Sequence, residues 1–422
     1  MTPSSIRRVV FLNHDVHLGG GELSLMDLMA SLGDAAPEVE RHLIAGSEAG
    51  PLLDRAREAG VHTHHVEMPP RLSRRGESAL YFRGRLNALA RLAAGAPLTL
   101  LDGSTYSRRL HRKIHELKPD VVHSNAMKTH LFVSVGGLKT CPLVWHVRDF
   151  LRTRPLMVRV LRMVSSSASR AIGISQAVAQ DIRDFLPGLP VDVVYDGINV
   201  DLFTPGPGNG EALDRLAGLA TAPPGTVRVG LVATYARWKG HDLLIEAASR
   251  IATQTPFRVY IIGGPIYSTK GSQFSEEELR SLVARHGLED RVGFIPFQPD
   301  PAEIYRSLDI VVHASTKPEP YGRTIVEAMA ASRPVVISND GGAAELFHEG
   351  VDGVGFTLGS ADSLSGAITR LLDDPSLRDC LAANARTNAV ERFHRDRLGA
   401  QVLQIYESVL ERRSPAQTGP RL

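Results

Sequence analysis

Short apolar runs of strand length recur along this chain, with stretches of helical spacing between them. The runs fall at 8–13, 41–45, 61–66, 121–123, 143–146 and 171–174, and again at 227–232, 257–262, 291–297, 310–312 and 334–338. Strands that alternate with helices imply parallel sheets covered on both faces, because a parallel crossover places its helix against the sheet. The chain is therefore expected to be α/β. No apolar run approaches the ~18 residues that a bilayer span requires. The block 9–12 is too short for a signal peptide and reads as a first strand.

The chain has 422 residues, enough for two or three domains. The Pro- and Gly-rich segments 205–210 and 221–225 bracket the expected linker, which leaves a first domain at 1–205 and a second from 206. No repeat at a solenoid period is visible. The two cysteines, Cys141 and Cys380, are far apart and exclude a disulfide scaffold or a cysteine metal site. A reducing cytoplasm is expected, with the inner membrane face as an option.

Residues 1–205 carry 25 Lys and Arg against 20 Asp and Glu, and the remainder 23 against 26. The first half is mildly basic, which suits phosphorylated or membrane-surface ligands. Its Arg-rich stretch, 71–113, reads either as a solvated helix face, the plainer reading, or as a contact for an anionic membrane. No nucleic-acid partner is expected.

The most informative stretch is 310–330. Ile310-Val311-Val312 is a buried strand, Pro318 and Pro320 hold a loop extended, and helical spacing begins at Thr324. Glu319 then lies on the loop, and Glu327, with seven residues between them, in the first helical turn. A helix start offers unpaired N–H groups to a diphosphate. Gly322 admits close backbone approach, carboxylates accept hydrogen bonds from sugar hydroxyls, and Arg323 can meet phosphate charge. A bare pair at this spacing is equally served by a solvated Glu319 and a Glu327 that favours the helix dipole.

The wider run is more specific. Pro318-Glu319-Pro320-Tyr321-Gly322-Arg323-Thr324-Ile325-Val326-Glu327-Ala328-Met329-Ala330, then Arg333-Pro334-Val335-Val336 and Gly341-Gly342-Ala343-Ala344-Glu345, resembles the donor-site signature of retaining GT-B glycosyltransferases of family 4. The resemblance implies a GT-B fold, with two Rossmann-like domains facing each other across a cleft. The first would be acceptor-side, and the second, 206–395, would bind a nucleotide sugar. A helix at 396–411 would cross back to the first domain, ahead of a tail at 412–422. It further implies that Glu327 binds ribose hydroxyls and Glu319 faces the transferred sugar. Gly322, Arg323 and Thr324 would lie against sugar and diphosphate.

Other positions follow by the same resemblance. Gly19-x-Gly21-x-x-Ser24 is an imperfect dinucleotide fingerprint, read as a flexible turn or a phosphate cradle. In the family, a Gly-Gly loop here, Gly19-Gly20, borders the donor phosphates. His146 ends a strand, where open α/β sheets bind ligands, and would point at the reacting sugar. Lys239 would neutralise the diphosphate leaving group. The family's usual Arg falls at Thr234, so Arg237 is the candidate substitute. The family's usual Asn falls at Asp196. Gly264 and Phe297 end the next two strands, and backbone at the latter would hold the base.

The expected activity is transfer of a sugar from a nucleotide-diphosphate sugar, a UDP-sugar favoured and a GDP-sugar allowed. The acceptor hydroxyl would belong to a saccharide, a lipid-linked molecule or a natural product. No metal is expected and none of the acids and histidines has ligand spacing. Competing readings are an epimerase or hydrolase on the same fold, a non-catalytic sugar-nucleotide sensor, and, from the fingerprint, a dinucleotide oxidoreductase.

Overall fold

The computed structural model describes residues 6–73, 85–138, 140–265, 271–298 and 300–412, with the side chains of 85–98 outside the description. By its contacts the chain forms two compact units. One runs to Gly197 and resumes at Arg395, and the other is Ile198–His394.

The first unit is built on seven parallel strands: β1 (Arg8–Leu12), β2 (Glu40–Ala45), β3 (His62–His65), β4 (Val121–Ser124), β5 (Leu143–Val147), β6 (Arg170–Gly173) and β7 (Val191–Val193). Their order is β3-β2-β1-β4-β5-β6-β7. Residues of β1, β4 and β5 are buried on both faces, which explains why these runs show no polar alternation. Chain order reverses between β1 and β4, and loops leaving their carboxyl ends diverge there.

The second unit repeats the plan with six strands: β8 (Val227–Val232), β9 (Phe257–Ile262), β10 (Val292–Ile295), β11 (Ile310–His313), β12 (Val335–Ser338) and β13 (Val354–Phe356). The order is β10-β9-β8-β11-β12-β13, and the reversal falls between β8 and β11. The alternating pattern foresaw every strand except β7 and β13, each of three residues and too short to show a period. The described residues thus form two Rossmann-like parallel sheets, of seven and six strands.

The ends of the two units depart from the expected linker. Residues 198–205 were expected with the first domain but are held by the second. Ile198 N–H donates to Phe393 O at 2.9 Å, and Arg386 Nη1 donates to Val200 O at 3.0 Å. The last helix, Asp396–Glu411, lies against the helix Gly20–Ala35 of the first unit, where Gly399 N–H donates to Ser31 Oγ at 2.8 Å. Val402, Tyr406 and Val409 on its inner face are buried, so apolar burial holds the returning helix in place.

The Arg-rich stretch is only partly visible. Arg74, Arg75 and Arg83 lie outside the described residues, as do the side chains of Arg85 and Arg91. Arg109 donates to Glu67 O and Lys113 pairs with Glu116, which is the behaviour of a solvated face. No helix among the described residues is long and apolar enough to cross a membrane.

Candidate functional site

In the second unit the site grows from the carboxyl ends of β8 and β11, neighbours at the chain reversal. β8 leads into the turn Arg237–Lys239, and Gly240 follows in the left-handed region at φ 75°. β11 leads into the loop that carries Ser315 and Glu319. Thr316 N–H donates to Trp238 O at 2.8 Å and ties the two loops together.

Three groups converge on one oxygen of Glu319. Lys239 Nζ lies 2.9 Å from Oε2, Ser315 Oγ donates to it at 2.8 Å, and His313 Nε2 lies at 3.2 Å. Glu319 is 7% exposed, which alone would favour the neutral acid. Burial does push its pKa up, but the Lys239 charge and the hydrogen bond from His313 outweigh burial and hold the carboxyl well below the usual range. The group is a buried carboxylate kept ionised by a matched cation, and Lys239 itself rests over the Trp238 ring at 4.1 Å.

Gly341 shapes the same loop. Its φ is 67°, and Gly342 N–H donates to Glu319 O at 2.7 Å. A Cβ at Gly341 would meet Glu319 O at 2.6 Å, so only glycine lets this backbone close against the acid.

Glu327 is placed differently from the expectation. Gly322, at φ 114°, caps a helix that begins at Arg323, so Glu327 falls in the second turn rather than the first. That spacing sets Glu327 one turn from Arg323, whose Nε donates to Oε1 at 2.8 Å. Tyr305 OH donates to Oε2 at 2.8 Å. Burial and then the adjacent Glu327 charge push the Tyr305 phenol well above its usual pKa, so it remains a donor. Thr324 stands beside Arg323 in the first turn.

Arg237 is not brought to this cluster. Its Nη2 pairs with Glu278 Oε1 at 2.6 Å, and its guanidinium covers the Phe274 ring at 4.3 Å. The turn Arg237–Lys239 explains the split, because it sends Lys239 toward the β11 loop and Arg237 toward the helix Glu276–Arg285. Gly264 accepts from Tyr235 N–H at 3.0 Å, and Phe297, just beyond β10, is 62% exposed.

In the first unit, Gly19 N–H donates back to Glu22 Oε2 at 3.3 Å, so that amide is used within the loop. Gly20 opens the helix, and a Cβ there would meet open space. Asn13 Nδ2 donates to Glu22 Oε1, Asn125 Nδ2 to Asn13 Oδ1, and Arg148 Nε to Asn125 Oδ1, a chain across the ends of β1, β4 and β5. Arg148 Nη1 also pairs with Asp196 at 2.6 Å, both groups nearly buried. The acid at 196 therefore has its own buried counter-charge. His146 is 2% exposed, with Nδ1 near His123 Nε2 at 3.1 Å and Arg148 Nη2 at 3.3 Å. Its Nε2 has no partner among the described residues.

Sequence reasoning missed His313, Ser315, Tyr305, His123 and Arg148. The signal available was position, since His313 and Arg148 stand at or just past strand carboxyl ends. Tyr305 and His123 become relevant only through contacts.

Comparisons with known proteins identify the family and the fold. The Glycosyltransferase Family 4 model matches residues 18–202, and the Glycosyl transferases group 1 model matches residues 221–388. The D-inositol 3-phosphate glycosyltransferase of Actinosynnema mirum is 32% identical over 319 residues, 68% of this chain and 72% of that protein. The chain belongs to the GT-B glycosyltransferases. The protein of the same name from Acidothermus cellulolyticus is 32% identical over 265 residues, 60% of this chain but only 56% of that protein's length. Among solved structures, Anabaena HepE in complex with UDP and glucose superposes with a TM-score of 0.76 and 25% identity, covering 96% of this glycosyltransferase and all of HepE. Sucrose-phosphate synthase from Thermosynechococcus elongatus reaches a TM-score of 0.75 over 96% of the chain, at 18% identity, a likeness of fold.

Proposed function

We propose that this glycosyltransferase moves a sugar from a nucleotide-diphosphate sugar, a UDP-sugar in the first instance, to an acceptor hydroxyl with retention at the anomeric carbon. The observation that carries the reading is the pair of buried acids, Glu319 and Glu327, each oriented by its own basic and hydroxyl donors at the reversal between β8 and β11. The HepE complexes with UDP and with UDP-glucose support a uridine donor.

The roles follow from charge. Glu327, with one oxygen on Arg323 and the other on Tyr305, presents a fixed carboxylate to the ribose hydroxyls. Glu319 accepts from the transferred sugar. Cleavage of the bond between the anomeric carbon and the diphosphate leaves positive charge on the sugar and two negative charges or more on the departing nucleotide. Preorganised positive charge at the leaving group then lowers the barrier more than a strong base does. Lys239, already beside Glu319, supplies that charge, together with the amides of Gly322, Arg323 and Thr324 at the helix start. The family resemblance assigns His146 to a hydroxyl of the donor sugar and Gly19 and Gly20 to its phosphates. Gly264 and Phe297 flank the base. No resident metal enters this scheme, and the reaction is placed in the cytoplasm, on a saccharide, lipid-linked or natural-product acceptor.

The test is a thermal-shift series with UDP, GDP, ADP and UDP-glucose on the wild type and on Glu327→Gln. Stabilisation by the uridine ligands that Glu327→Gln loses is expected. No shift with any nucleotide would sink the reading. The anomeric configuration of the product, read by NMR against that of the donor, tests retention separately.

A further inference from the structure

His146 belongs to a hydrogen-bonded chain that ends on the carboxyl-terminal helix. Tyr406 OH lies 2.7 Å from His123 Nδ1, and His123 Nε2 lies 3.1 Å from His146 Nδ1. Tyr406 and His123 are fully buried, and their rings meet edge to face at 5.9 Å. Arg148 Nη2 approaches the same His146 Nδ1 at 3.3 Å. On the other side His130 hydrogen-bonds the His146 backbone and stacks on Trp145 at 5.2 Å.

The donor and acceptor inventory admits one order. A guanidinium only donates, so His146 Nδ1 is an acceptor and carries no proton. His123 Nε2 must then donate to it, which leaves His123 Nδ1 bare and accepting from the Tyr406 hydroxyl. A neutral His146 with a bare Nδ1 has its proton on Nε2, the buried nitrogen that lacks a partner among the described residues. Two further facts agree. Burial first, then the charge of Arg148, hold both imidazoles neutral, and burial keeps the Tyr406 phenol protonated.

We propose that Tyr406 is a positioning residue for glycosyl transfer, acting through His123 to lock His146 in the tautomer that offers Nε2–H to a hydroxyl oxygen of the donor sugar. This rests on the reading of His146 given above. It also assigns the returning helix Asp396–Glu411 a task beyond packing, since its Tyr406 sets the protonation pattern at the end of β5.

The direct readout is long-range proton–nitrogen NMR of the full chain labelled with 15N-histidine, without ligand. His146 is expected to show a bare Nδ1 and a protonated Nε2 in the wild type, and mixed tautomers in Tyr406→Phe. A wild-type His146 protonated on Nδ1 overturns the proposal whatever the variants do. The second readout is UDP release from UDP-glucose. Tyr406→Phe is expected to lower kcat roughly five- to tenfold with KM within about twofold, the effect of one lost hydrogen bond felt at the barrier. His123→Leu should lower kcat further, and His123→Gln, whose amide can both donate to His146 and accept from Tyr406, should return part of that loss. A folded Tyr406→Phe with wild-type kcat and a single tautomer overturns the positioning role while leaving His146 assigned to the sugar if His146→Ala is slow. A His146→Ala variant with wild-type kcat overturns both.

Discussion

The two units each bury a cluster of titratable side chains at the carboxyl ends of their strands, and they treat charge in opposite ways. In the second unit Glu319 stays ionised because Lys239 and His313 outweigh the cost of burial. In the first unit His123, His130 and His146 stay neutral because burial and the charge of Arg148 act in the same direction. Burial alone disfavours any charged form. Both neighbours are cations; what differs is the charge the buried group itself would carry, negative for a carboxylate and positive for an imidazolium, and that decides whether a buried site holds an electrostatic clamp or a set of directional, uncharged hydrogen bonds.

The strongest way to break this contrast is to remove the clamp. Lys239→Ala leaves Glu319 buried without its counter-charge and removes the cation assigned to the leaving group. Activity is expected to fall by roughly 10²–10³, measured as UDP release, with the far-UV circular dichroism spectrum retained. A loss below threefold would mean that Lys239 balances charge and does no chemistry. Next in size is Gly341→Ala. The substitution forces a left-handed residue against Glu319 O, a strain of about 1–3 kcal/mol. A lower melting temperature and a lower kcat are expected together, and unchanged kcat would uncouple this turn from the acid.

Acid titration sharpens the comparison between units. His14, His42, His64, His123, His130 and His146 in the first unit have folded pKa values below the ordinary 6.5, those of His14 and His64 about 4 and that of His130 about 3. A depressed folded pKa means that the unfolded chain takes up protons first. The stability these groups contribute is complete above pH 6.5 and is lost as pH falls below it toward the folded values. In the second unit His241, lowered to about 3 by burial and then by Lys239, is the one histidine with a resolved shift among the described residues. Glu319 follows the same sign, but its loss begins only below its ordinary 4.5. Hydrogen exchange between pH 6.5 and 5 is therefore expected to show β1, β4 and β5 losing protection before β8 and β11. Equal loss in both sheets would remove the distinction.

The smallest effect is expected at Arg237. Its pair with Glu278 is nearly half-exposed, so Arg237→Ala should cost no more than about 1 kcal/mol and change kcat less than threefold. A hundredfold loss would restore it to the leaving-group role and require the side chain to swing away from Phe274 when donor binds.

The alternating apolar runs determined the parallel sheets, because strands buried on both faces read as short continuous apolar blocks, and that pattern is local. The acids Glu319 and Glu327 were legible for a similar reason: a strand, a proline-held loop and a helix start are consecutive in the chain. The tertiary structure decided their partners. His313 and Tyr305 reach these acids through packing, and Lys239 from a turn 80 positions away. Arg237 shares that turn with Lys239 yet points to Glu278, because a single turn aims neighbouring side chains at different surfaces. The link from Tyr406 to His123 spans 283 positions and exists only once the last helix has returned to the first sheet. Hydrogen-bond order and the sign of a pKa shift depend on which groups lie within a few ångströms, and such proximity between distant residues leaves no periodic trace in the chain.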